Sequence, residues 1–177
     1  GGAAVVGVHL EGPFAGGAPG AHVVEHLRPV DTAWLRALLD RVPGLVRVMT
    51  LAPEADPGFD GTRMLHAAGV VVAIGHTTAS YDEARAAADA GATVVTHLFN
   101  GMGPFNHRAP GVAGAALDDA RLTPSLLADP VHVHPAAPRP ATRPQRARPP
   151  APPALPPPPA PLLRQPVRLR WLPRPHL

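Results

Sequence analysis

The chain has 177 residues, no cysteine, a formal net charge of +3 and a pI near 10.9. That length suits one ordinary domain, the missing thiols exclude disulfides and thiolate metal sites, and no apolar run reaches the ~18 residues of a membrane span. The basic average hides two compositions. Residues 1–130 hold all 13 acids, all 17 glycines and 8 of the 16 arginines, a formal −5; residues 131–177 hold the other 8 arginines, no acid, no glycine and most of the 26 prolines. The first part is therefore mildly acidic and not expected to bind nucleic acid. The chain shows no signal-peptide pattern, and with no cysteine it is expected to be cytoplasmic with no membrane partner. It opens without Met on what reads as a strand, so its start is expected to be a cut.

In chain order, residues 3–11 (AAVVGVHLE) read as a buried strand, followed by a Gly/Pro-rich loop. Residues 31–42 read as a helix with Asp31 as N-cap and Trp34, Leu35, Leu38 and Leu39 on its core face. GLVRVMTLAPE is a second strand closed by Pro53, and GTRMLHAAG a short helix ending at Gly69. Residues 70–76 (VVVAIGH) form a third strand. Ser80 and Glu83 match a capping box that opens the helix YDEARAAADAG, with Gly91 at its end. ATVVTHLF is a fourth strand, LTPSLLADP is expected to be a short helix, and VHVH to begin a fifth strand. From about Pro138 the periodicity stops, and the Pro/Arg-rich text reads as polyproline-like or disordered. Apolar strands separated by helices imply a parallel sheet, either doubly wound or part of a (β/α)8 barrel, with ligands gathering at the carboxyl ends of the strands.

The ends of three strands carry polar groups: Glu11, His76 and His97. His76 and His97 are 21 residues apart, about one α/β repeat, which places them side by side. Two imidazoles and a carboxylate suit a catalytic divalent metal with a position left for water, although a single strand-end histidine is more often a hydrogen-bonded loop residue. Of the other polar residues, His9 reads as packing or support for the site, and Glu54 as a loop anchor. His26, His66 and His107 read as surface residues, and Trp34 and Leu38 as core.

The strings GVHLEGPF, GAH with EHLRP, TLAPE, GHTTASYDEA, GATVVTHLFNGMGPFNHRAPGVAGAAL and LLADPVHVHP occur in order over residues 3–135. Together they resemble the N-acetylglucosamine-6-phosphate deacetylases of the amidohydrolase superfamily. The resemblance implies an α/β fold that is an incomplete (β/α)8 TIM-barrel fragment over residues 1–135, with a Pro/Arg-rich tail over residues 136–177. It implies one divalent metal ion, zinc by expectation, on Glu11, His76 and His97. It implies contacts of Asn100 and the Gly101 backbone with the sugar phosphate. Arg108 resembles the arginine that reaches the phosphate in the neighbouring subunit of a homodimer, and His22 and His132 resemble substrate-contacting histidines. The implied reaction is hydrolysis of the acetamide of N-acetylglucosamine 6-phosphate to glucosamine 6-phosphate and acetate.

The chain departs from the family pattern at GMGP, at Ala109, and at Pro130, which removes a backbone N–H before VHV. No acidic residue follows Asp129, so the family's general acid/base aspartate has no counterpart and these 177 residues are expected to be inactive. The abrupt compositional change suggests a shifted reading frame in the tail. The alternatives are another amidohydrolase, such as a cyclic-amide hydrolase or deaminase, or a non-catalytic binding protein acting through its Arg/Pro tail.

Overall fold

A computed structural model describes residues 2–137. Five parallel strands stand side by side in chain order: β1 Val8–Glu11, β2 Val46–Leu51, β3 Val71–Ile74, β4 Ala92–Val95 and β5 Thr123–Pro124. The order decides between the two architectures. A doubly wound sheet reverses its strand order at a switch point, whereas a singly wound barrel adds each strand beside the last. With right-handed crossovers, sequential order puts every helix on one face, as in a barrel wall.

The helices are α1 Thr32–Arg41, α2 Asp60–Ala67, α3 Tyr81–Asp89 and α4 Gly111–Asp118. Their starts follow from local chemistry. The Asp31 carboxylate accepts from the Trp34 N–H at 3.0 Å. On α3, Ser80 Oγ accepts from the Glu83 N–H and the Glu83 carboxylate accepts from the Ser80 N–H, which completes the capping box. Buried Asp56 caps α2 by accepting from Gly61 N–H, Thr62 N–H and the Thr62 hydroxyl. Between helices and sheet lies a core built on Leu35, Met49, Leu51, Leu65, Ile74 and Val95, all essentially inaccessible to water. Trp34 and Leu38 are partly buried and pack against it.

Three expectations are corrected. Residues 122–130 do not form a helix, because Thr123 and Pro124 pair with Val94 and Val95 as β5. Proline is tolerated there since no further strand pairs with β5 among the described residues. Residues 131–134 are not a strand: Asp129 Oδ1 accepts from the N–H groups of Val131 and His132, and the Asp129 carbonyl from the Val133 N–H, closing a turn after Pro130. The first strand is also shorter than read, since pairing begins at Val8 and leaves Val5 and Val6 exposed. Helix α4 was absent from the sequence reading. The expectation for the Pro/Arg-rich tail lies, from residue 138 on, outside the described residues.

Candidate metal centre

Strand register brings the three strand-end groups together. Ile74 of β3 faces Val95 of β4, and a histidine follows two residues later on each. On the other side Glu11 of β1 pairs with Thr50, whose neighbour Leu51 pairs with Ile74. His76 Nε2 lies 3.0 Å and His97 Nε2 3.2 Å from Glu11 Oε1, and the two Nε2 atoms are 3.0 Å apart. The rings meet edge to face with centroids 4.7 Å apart. His76 is buried, His97 half-buried, and Glu11 open to solvent.

The protonation of this cluster follows from its outer contacts. His76 Nδ1 is 3.2 Å from the Ala18 carbonyl and His97 Nδ1 is 3.0 Å from the Asn100 carbonyl. A carbonyl only accepts, so each Nδ1 carries its proton outward, and Nε2 is the nitrogen each ring turns inward. The two Nε2 atoms and the carboxylate therefore face one another, an arrangement that a proton shared with Glu11 or a divalent cation between them would hold together. The separations lie near the ~3.4 Å edge of a tetrahedral centre with ~2.1 Å bonds, so the donor set fits a divalent metal. These three residues form a group among the described residues that could hold a metal ion. Burial disfavours the ionised form of Glu11, but the hydrogen bond and charge of His76, with His97 and His9 adding, outweigh it and hold the carboxyl below its usual range.

Both histidines adopt left-handed backbone, at φ +50° for His76 and φ +35° for His97. Such conformations are uncommon for residues other than glycine and persist where surroundings over-determine them. Here the surroundings do so. The His76 carbonyl accepts from Gly16 N–H at 2.7 Å, and the His97 carbonyl from Asn100 N–H at 2.8 Å. Ser125 Oγ, just past β5, accepts from the His97 N–H at 2.8 Å.

The residues expected to meet substrate separate into two groups. His22 stacks edge to face on His76 with centroids 4.4 Å apart. Asn100 and Gly101 form the turn beside both rings, and Gly101, at φ +55°, returns its carbonyl to Thr77 N–H at 3.0 Å. Arg108 lines a separate open groove of about 810 Å³ with Thr78, Ser80, Asp82 and Asn106. His132 is exposed, its Nδ1 held by the Asp129 carboxylate at 3.0 Å. The structure thus joins His22, Asn100 and Gly101 to the Glu11–His76–His97 cluster, while the contacts of Arg108 and His132 lie elsewhere.

His9 supports the site through Thr50 and Thr96, two residues that escaped the sequence reading. His9 Nε2 lies 2.8 Å from Thr50 Oγ1, which lies 2.9 Å from Thr96 Oγ1, a polar chain crossing the sheet beneath the cluster. Gly75 makes room for it, since a Cβ there would sit 2.8 Å from Thr50 Cγ2 and 3.1 Å from Thr96 Cβ. The only sequence hint was a pair of threonines at strand ends. Glu54 anchors loops as expected, and His26, His66 and His107 take no part in the cluster.

Comparison with known proteins places this geometry. No family model matches the chain. It is 42% identical over 137 residues to N-acetylglucosamine-6-phosphate deacetylase of Bacillus subtilis, covering 77% of this chain and 35% of that protein. It is 43% identical to N-acetylgalactosamine-6-phosphate deacetylase of Escherichia coli O157:H7, covering 77% of this chain and 36% of that protein. The crystal structure of N-acetyl-D-glucosamine-6-phosphate deacetylase from Mycobacterium smegmatis superposes with a TM-score of 0.72 at 48% identity, covering 75% of this chain and 38% of that one. A variant of the same enzyme, solved in complex with N-acetyl-D-glucosamine-6-phosphate, gives 0.73. Those relatives are deacetylases, and this chain spans little more than a third of their length. By sequence and by fold, the chain is similar to a segment making up 35–38% of N-acetylglucosamine-6-phosphate deacetylases.

Proposed function

We propose that residues 1–135 are the metal-holding part of a deacetylase that cleaves the acetamide of N-acetylglucosamine 6-phosphate, giving glucosamine 6-phosphate and acetate. The observation that carries this reading is the convergence of Glu11 Oε1 with His76 Nε2 and His97 Nε2, both Nδ1 atoms resting on main-chain carbonyls. A divalent cation, zinc by its donor set, would there polarise an amide carbonyl and acidify a water. The chain's own residues hold and orient. Glu11 supplies the negative charge, the two backbone carbonyls fix the imidazole tautomers, and His22 packs against His76. Asn100 and the Gly101 backbone would meet the sugar phosphate, and His132 would be a further substrate contact. Arg108, exposed on its groove, would clamp a phosphate across a homodimer.

No acidic residue follows Asp129 to serve as the acid for the leaving amine, so these 177 residues should bind metal and sugar phosphate without turnover. The test is cobalt(II) binding by the purified chain, followed by ligand binding. Glu11→Gln, His76→Ala and His97→Ala should each lose metal, and N-acetylglucosamine 6-phosphate should outcompete the free sugar and the galacto epimer's phosphate. Stoichiometric metal in a His76→Ala/His97→Ala double variant, or equal affinity for free and phosphorylated sugar, would overturn the reading.

A further inference from the structure

We propose that Glu54 is a positioning residue for His76, clasping together the two loops that hold this imidazole in place; the inference rests on the metal-centre reading above. Glu54 follows β2 directly. Its Oε1 accepts from Gly17 N–H at 2.9 Å and from Thr78 N–H at 2.8 Å, with the Thr78 hydroxyl at 3.4 Å. Its Oε2 accepts from the Thr77 hydroxyl. That hydroxyl oxygen itself accepts from Ala79 N–H at 2.9 Å, so its proton is free to point at the carboxylate.

The two loops so joined carry the restraints on His76. In the first, Gly16 N–H donates to the His76 carbonyl at 2.7 Å and the Ala18 carbonyl receives the His76 Nδ1 proton at 3.2 Å. In the second, Thr77 follows His76 and its N–H donates to the Gly101 carbonyl at 3.0 Å. Glu54 thereby grips both loops that restrain a residue whose backbone sits at φ +50°. The approach is close enough to demand glycine. A Cβ at Gly16 would lie 2.2 Å from Glu54 Oε1, and one at Gly17 would lie 2.4 Å from Thr78 Oγ1. With its oxygens occupied by donors, Glu54 is not itself a ligand. It acts by fixing where the His76 lone pair points. It is also exposed, so its hydrogen bonds compete with water and its removal should disturb the placement of His76 more than the stability of the fold.

The experiment measures cobalt(II) affinity of the full chain by chelator competition, with the visible ligand-field spectrum and the melting temperature recorded alongside. Glu54→Ala should weaken affinity about 10–100-fold, the usual scale for groups that orient a ligand. Glu54→Gln, which keeps one acceptor oxygen, should fall between it and the parent. Thr77→Val removes one donor but leaves the carboxylate, and should weaken affinity several-fold. Leu65→Ala, a core truncation on α2, should lower the melting temperature while leaving affinity within about twofold. A Glu54→Ala affinity within twofold of the parent overturns the proposal, as does a loss no greater than that of Leu65→Ala at equal destabilisation. Glu11→Gln separates the two levels: if it keeps stoichiometric cobalt, the metal centre itself is wrong, whereas its loss of cobalt beside an unaffected Glu54→Ala condemns only the clasp.

Discussion

Replacing Gly101 by alanine puts a number on how tightly the two imidazoles are held. Gly101 sits at φ +55°, where an L-residue costs roughly 1–2 kcal/mol relative to glycine. The added Cβ would lie 3.1 Å from His97 Cε1, 3.2 Å from His76 Nδ1 and 3.4 Å from His76 Cε1. Comfortable carbon contacts begin near ~3.5 Å, so the rings must yield by a few tenths of an ångström. Neither has a free direction. Each is tied through Nδ1 to a carbonyl, and the rings lean on each other. A site displaced by about 0.5 Å is already poor, so we expect at least a tenfold loss of cobalt(II) affinity. Gly69→Ala is the control. Its φ is +74° and no atom lies within 4 Å of its Cβ position, so it carries similar backbone strain with no contact to the site. Both variants should melt a few degrees lower, at about 2–4 °C per kcal/mol for a chain of this size. Only Gly101→Ala should also lose metal. Equal cobalt affinity in the two variants would refute the claim that ring placement is set by this contact.

Three further outcomes are expected. Hydrogen bonds from Arg121 pull the Asp119 carboxyl down to about 2 against an ordinary 3.8. Its depressed folded value means that its stabilising effect is present above ~4 and is lost as pH falls through about 2, so the gap between Asp119→Asn and parent in acid unfolding should close over that window. Ser80→Ala removes half of the α3 capping box and should cost about 1 kcal/mol, measured by urea unfolding. Arg108→Ala should weaken N-acetylglucosamine 6-phosphate binding about tenfold by calorimetry with metal content unchanged; coupled loss of metal would show that Arg108 belongs to the cluster instead.

The sites and elements that were legible share a physical basis: their determinants are local. Asp31, Ser80 and Glu83 announce helix starts within three residues of sequence, and continuous apolar runs before Glu11, His76 and His97 announce parallel strand ends. What was missed depends on distant partners. Helix α4 shows no polar face because Val112, Ala113, Gly114, Ala115 and Ala116 are all buried, so the amphipathic period that betrays a helix is absent. Thr123 and Pro124 become a strand only because Val94 and Val95 lie alongside. The left-handed backbones of His76 and His97 leave no trace in residue type, since what sustains them is bonding to Gly16, Asn100 and Ser125.

Both imidazoles rest their outer nitrogen on a main-chain carbonyl, of Ala18 and of Asn100, and that choice relocates the fragility of the centre. A carboxylate in that role could be deleted by one codon change, and it would push more electron density onto the ring. A carbonyl cannot be mutated away; any amino acid at position 18 or 100 still offers one. What can be spoiled is the path of the chain that presents it. Heritable damage to this centre should therefore gather at Gly16, Gly17 and Gly101, positions that offer no side chain to a metal, while the side chains at 18 and 100 vary without loosening either ring.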